Sequence, residues 1–88
     1  MISTEQINSI VAEIEAMGIN ESTVMGLRQQ YQPIHFTYCM DDDLPDNVPV
    51  IAKATFNLYL IDGREHCLCL TNDYDIATGI VVAEIIPD

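Results

Sequence analysis

Apolar residues recur along the first third of the chain at helical spacing. Ile7, Ile10, Val11, Ile14 and Met17 follow the i, i+3, i+4, i+7 rhythm of one buried stripe, which predicts a helix over residues 3–17. Ser3 stands at the N-cap and Gln6 three residues later, a capping box, with Ile2 and Ile7 placed for a hydrophobic staple. Glu5 in the first turn complements the helix dipole, and Gly18 supplies the residue at which such a helix stops. The signal then repeats. Asn20 caps a second helix, Ile19 and Val24 offer a second staple, and Val24, Leu27 and Tyr31 form its apolar stripe. Gln32-Pro33 ends it, because the residue before proline avoids the α region. Gly26 inside this helix costs about 1 kcal/mol against alanine and suits a close helix contact. Residues 3–32 therefore read as a helical hairpin.

After Pro33 the period changes. Ile34 to Met40 is rich in β-branched and aromatic residues and reads as a strand. Residues 41–49 form an acidic loop with two prolines, and residues 50–61 hold a second strand whose clearest part is Phe56 to Ile61. Asp62-Gly63 is the preferred pair for a two-residue type I′ turn, so Arg64 to Thr71 is expected to return antiparallel, with Ile61 opposite Arg64, Leu58 opposite Cys67 and Phe56 opposite Cys69. Gly79 to Ile86, dense in valine and isoleucine, reads as a fourth strand, with a short final helix from Tyr74 as the alternative. The pattern defines one domain spanning residues 1–88, of the α+β class: a helical hairpin (3–32) on one face of a mostly antiparallel sheet of three or four strands (34–86).

Strand alternation divides the predicted hairpin into two faces. Phe56, Leu58, Leu60, Cys67 and Cys69 share the more uniformly apolar one, which is expected to meet the helices. Tyr59, Ile61, Leu68 and Leu70 lie on the other, together with Asn57, Arg64 and His66. That second face needs a cover from the C-terminal segment, a second copy or a partner.

Charge changes the picture of function more than of fold. Fourteen acidic residues against three basic ones give a formal charge of −11, while 49% of residues are hydrophobic, too many for a disordered chain. Such a surface repels nucleic-acid phosphates and anionic membranes and attracts a basic protein surface. Asp41, Asp42, Asp43 and Asp46 concentrate the charge in the loop, where prolines are expected to hold them exposed and outside the sheet. They lack the spaced ligands, central glycine and final glutamate of an EF-hand, as does the loop of Asn72, Asp73 and Asp75, and solvated charge is the plainer reading of both. The start, Met1 to Glu5, carries neither basic nor apolar signal regions, no apolar run approaches a membrane span, and three cysteines suggest free thiols, so a cytoplasmic location is expected.

The sharpest chemical signal is the set His35, Cys39, His66, Cys67 and Cys69. Cys67 and Cys69 point the same way, as do His35 and Cys39, so two strands can aim four soft ligands at zinc or copper(I). Knuckle spacing is missing, and buried cysteine commonly acts as a small hydrophobe. Cys–His catalysis is disfavoured, because the local charge is acidic and raises thiol pKa. No phosphate-binding glycine loop, nucleophile elbow or HExxH helix is present. The reading is non-enzymatic: no catalytic residue and no cofactor are expected. A protein-binding or self-associating module, as a homodimer or on a basic partner, would use Asp41, Asp42, Asp43, Asp46, Tyr59, Leu68 and Leu70. A soft-metal site on Cys67, Cys69, Cys39 and His35 is the alternative.

The runs HFTYCMDDD at residues 35–43 and FNLYLIDGREHCLCLTND at residues 56–73 resemble a family of short, acidic bacterial proteins known as a domain of unknown function. The resemblance covers most of the chain. It implies a bacterial, cytosolic origin and brings no activity, cofactor or site residue with it.

Overall fold

A computed structural model describes residues 2–44, 47–63 and 69–86. The helical hairpin is present as α1 (Thr4–Met17) and α2 (Glu21–Gln30). Its punctuation is local chemistry. The Ser3 hydroxyl accepts from the Gln6 amide at 3.1 Å while Gln6 Oε1 accepts from the Ser3 amide at 2.9 Å, closing the capping box. Gly18 takes a φ of 90°, open to glycine, and α1 ends there. Asn20 Oδ1 accepts from the Thr23 amide at 3.0 Å and starts α2. Ile7, Ile10, Val11 and Ile14 form the buried stripe of α1, with Ile2 buried beside them. The stripe closes at Ile14: Met17, expected to continue it, is 66% exposed in the last turn. Gly26 serves no close contact, since nothing lies within 4 Å of where its Cβ would stand.

The sheet contains β1 (His35–Met40), β2 (Ile51–Ala52), β3 (Phe56–Asp62), β4 (Cys69–Thr71) and β5 (Gly79–Glu84). Its order is β1-β5-β3-β2, and β4 also pairs with β3. The C-terminal segment is thus an inner strand, antiparallel to β3 and parallel to β1, with His35 opposite Gly79 and Ile61 opposite Gly79 from the other side. Because β5 occupies one side of β3 along its length, β2 and β4 share the other side, β2 at Asn57–Leu58 and β4 at Leu60–Asp62. The class is α+β as expected, with about five strands instead of three or four, mostly antiparallel and with one parallel pair.

Two expectations fail for identifiable reasons. The strand expected over residues 50–61 is broken by a reversal at Lys53–Thr55, where the Lys53 amide donates to the Phe56 carbonyl at 2.9 Å, and β2 folds back on β3. The return from β3 is not a two-residue turn. The Gly63 amide donates to Thr78 Oγ1 at 2.9 Å, drawn toward the segment entering β5 and away from a turn closure. Ile61 then meets Leu70 where Arg64 was expected, and Cys69 meets Asp62 at the hairpin mouth. Phe56 faces Glu84 and not Cys69, and Leu58 lies between Val82 and Ile51. The expected positions of Arg64, His66, Cys67 and Leu68 lie outside the described residues.

Alternation places Phe36, Phe56, Leu58, Leu60, Ile80 and Val82 toward the helices, in one core with Ile10, Ile14 and Leu27. The opposite face carries a second cluster of Tyr59, Ile61, Val81 and Ala83, with Cys39, Leu44 and Leu70 packed on it. From Gly79 to Ala83 every residue of β5 is buried, the signature of a strand covered on both faces.

Gly79 is where β1 and β5 approach most tightly. A Cβ there would stand 2.9 Å from the His35 carbonyl oxygen and 3.1 Å from the His35 Cβ, and backbone cannot swing away as a side-chain tip can. Gly79→Ala should therefore cost about 1–3 kcal/mol, the range typical of overpacking. Urea unfolding with a lowered midpoint and an unchanged m-value checks it; a midpoint equal to wild type would mean the parallel pairing is looser than described.

Candidate functional site

The acidic loop does not stand clear of the sheet. Residues Asp41–Asp43 form a 3₁₀ turn directly after β1. Asp41 Oδ1 accepts from Asn57 Nδ2 and from the Tyr59 hydroxyl, both at 2.9 Å. Asn57 and Tyr59 are two apart on β3, so alternation presents both polar groups on the second face, where one carboxylate meets both. Burial, then the hydrogen bond to Asp41, pushes the Tyr59 phenol above its ordinary pKa. Leu44 packs on the same cluster, so this loop supplies the cover that was expected from the C-terminal segment, a second copy or a partner.

The residues proposed for protein binding therefore separate. Asp42 and Asp43 are exposed, as expected. Asp41 is half-buried and structural in its contacts, and Tyr59, expected on an open face, is 3% exposed. Leu70 is half-buried against the second cluster. Asp46 and Leu68 lie outside the described residues.

The Cys/His set is spread out where it is described. His35 and Cys39 do share a face of β1, but four residues of strand separate them by about 13 Å. Cys69 is exposed on β4, three strands across, a lateral distance of about 14 Å. Cys67 lies outside the described residues. Among the described residues no three His, Cys, Asp or Glu side chains group as metal ligands would. Burial, then the charges of Asp43 and Asp41, pushes the Cys39 thiol up, opposite to what activates a nucleophile.

What the strand order creates instead is an edge. The His35 amide donates to the Thr78 carbonyl, so the backbone groups of His35, Thr37 and Cys39 turn toward β5 and those of Phe36, Tyr38 and Met40 turn outward. Among the described residues no strand pairs on that outer side. The contact found there is Arg28 Nε donating to the Phe36 carbonyl at 3.1 Å, which agrees with its outward direction. β1 holds no carboxylate, lysine or proline. Two shallow hollows flank it. One lies by its start, lined by Arg28, Gln32, Pro33, Ile34, His35 and Phe36. The other lies by its end, lined by Asn20, Glu21, Tyr38, Cys39, Met40 and Asp43. The first is basic in character and the second acidic. Tyr38 ties the edge strand to β5 through its hydroxyl, which donates to the Glu84 carboxylate. Sequence reasoning missed this edge because it depends on which strand is outermost; the one local sign was an apolar β stretch without a gatekeeping charge.

Fold and edge together define a small α+β domain: a helical hairpin on a mixed sheet, with the turn after β1 packed on its second face and, among the described residues, no strand on the outer side of β1. The chain belongs to a family of unknown function, DUF6129, whose family model matches residues 9–85. Neither a curated protein nor a solved structure matches it. No helix among the described residues is long and apolar enough to cross a membrane.

The division of the aspartates is testable by thermal unfolding. Asp41→Ala should cost about 1–3 kcal/mol, because it strands the buried Tyr59 hydroxyl. Asp42→Asn and Asp43→Asn should leave the melting temperature unchanged or raise it by relieving repulsion. Equal effects at all three positions would mean that Asp41 holds nothing.

Tyr38 gives a second test. The hydrogen bond to Glu84, then burial, pushes its phenol from 10.0 up to about 12. The fold retains this proton more tightly than the unfolded chain does, so the associated stability is fully present below pH 10.0 and is lost as pH rises through about 12. Ultraviolet titration should show a phenolate transition near that pH that disappears in Tyr38→Phe; ionisation of Tyr38 at the ordinary value would contradict the bond to Glu84.

Proposed function

We propose that this protein is a non-enzymatic interaction module whose docking element is the outer edge of β1. The observation that supports this reading is the row of outward backbone groups of Phe36, Tyr38 and Met40 on an unbroken six-residue strand that has no strand neighbour among the described residues. Sheet edges are ordinarily blunted by short strands, charge, proline or bulges. The far edge of this sheet follows that rule, being divided between a two-residue β2 and a three-residue β4. β1 does not. An extended segment laid along it gains main-chain hydrogen bonds, the mode by which strands are added to an existing sheet. Asp42 and Asp43, exposed at the end of the same strand, favour a partner that brings basic residues there and steer its approach.

Met40→Pro isolates the edge. Met40 has φ −87° and ψ 144°, close to what proline requires, and its amide points outward, so the monomer's own sheet keeps its bonds. Capture from lysate should recover a partner with the wild type and lose it with Met40→Pro. The same partner, remade pure, should bind wild type and not Met40→Pro. Asp42→Asn with Asp43→Asn should slow that association at low salt, with the difference fading as the Debye length falls to about 8 Å at physiological salt. Identical retention by all three proteins would overturn edge docking.

A further inference from the structure

We infer that the occupant of the β1 edge is the β1 edge of a second copy, paired antiparallel about a two-fold axis at Tyr38. This rests on the reading of β1 as a docking edge and names its partner. A strand that pairs with itself antiparallel brings its own start beside its own end, so it must be self-complementary when reversed. β1 meets that condition in hydrogen bonding and in charge.

In the Tyr38-centred register Phe36 lies opposite Met40 of the second copy, Tyr38 opposite Tyr38 and Met40 opposite Phe36. All three are outward-facing positions, so each is a hydrogen-bonded pair, and the ladder contains about six backbone bonds. No other two-fold register engages every outward group of the strand. The Phe36 carbonyl, already met by Arg28, keeps a second lone pair for the Met40 amide of the second copy.

Charge follows the same reversal. The hollow at the start of β1 contains Arg28, one of only three basic residues in the chain, together with His35. The hollow at its end contains Glu21 and Asp43. Reversed pairing brings the start of β1, with His35 and the Arg28 hollow, beside the Asp41–Asp43 turn of the second copy, so each basic hollow lies toward an acidic one, twice. Between them β1 itself is free of carboxylates, which matters for two chains that each carry −11. Their long-range repulsion is screened at physiological salt, where the pairing along the edge is decided over shorter distances.

The register also fixes a covalent test. Thr37 is exposed and falls opposite Cys39 of the second copy in a non-hydrogen-bonded pair, where Cβ atoms stand about 4.5–5.5 Å apart, within reach of a disulfide. Light scattering and native mass spectrometry at physiological salt should give a dimer for the wild type at concentrations up to about 100 μM, a weak-association range. Met40→Pro should give a monomer with unchanged far-ultraviolet circular dichroism and with the melting temperature that the wild type shows when diluted until it is monomeric. In a background with Cys67→Ser and Cys69→Ser, Thr37→Cys should oxidise to a dimer whose peptides map the bond to positions 37 and 39 of different chains. Should Met40→Pro fail to fold, that mapping decides alone. A wild type that stays monomeric while a purified foreign partner still fails to bind Met40→Pro would overturn the second-copy assignment and leave edge docking standing. A dimer that survives Met40→Pro, with no bond between positions 37 and 39, would overturn both.

Discussion

The layers of this protein depend on one strand, β5, buried on both faces between β1 and β3. Gly79 to Ala83 is buried on both faces, so a chain of this size must find two covers for one strand. The helices supply the first, through Ile10, Ile14 and Leu27 against Ile80 and Val82. The second comes from the turn after β1, where Asp41 reaches back to Asn57 and Tyr59 and Leu44 packs on the cluster of Tyr59, Ile61, Val81 and Ala83. The same placement makes β5 the strand neighbour of β1. The outward backbone groups of β1, of which the Phe36 carbonyl meets Arg28, have no strand partner among the described residues.

Features encoded by neighbours in sequence were readable, and features encoded by distant pairings were not. Ser3 with Gln6, Asn20 with Thr23 and Gly18 set the helix limits through contacts three or four residues long, and each appears as the pattern implies. The valine-rich segment at Gly79 was legible as a strand, but its parallel partner is more than forty positions away, and no local signal ranks that pairing above a meander. Asp62-Gly63 shows a strong local preference losing to context: the Gly63 amide finds Thr78, and the β4 register moves with it. Of the family resemblance, the membership is shown.

The acidic cluster was legible as composition and misread as geometry. Four aspartates near one another look equivalent in sequence, yet Asp41 continues directly from β1 while Asp42 and Asp43 turn away from the sheet. One sign did exist. Asn57 and Tyr59 alternate with Phe56, Leu58 and Leu60, and two polar side chains on one face of a buried strand require a partner of their own. A nearby carboxylate is an economical one, since both groups can donate to it.

The asymmetry of the two sheet edges bears on what kind of assembly an edge contact can build. A sheet with two long open edges adds strands without limit, because each new copy presents the edge that the last one consumed. This sheet has one. On the far side β2 and β4 interrupt each other, leaving two- and three-residue pieces that offer no continuous template. Pairing β1 with β1 is isologous, so the surface that makes the contact is used up by making it, and growth stops at two. A charge of −11 acts in the same sense, since it raises the cost of every added copy while leaving the carboxylate-free strand itself unburdened. In the proposed pairing, long-range repulsion and one short self-complementary edge would favour a closed pair over a fibre.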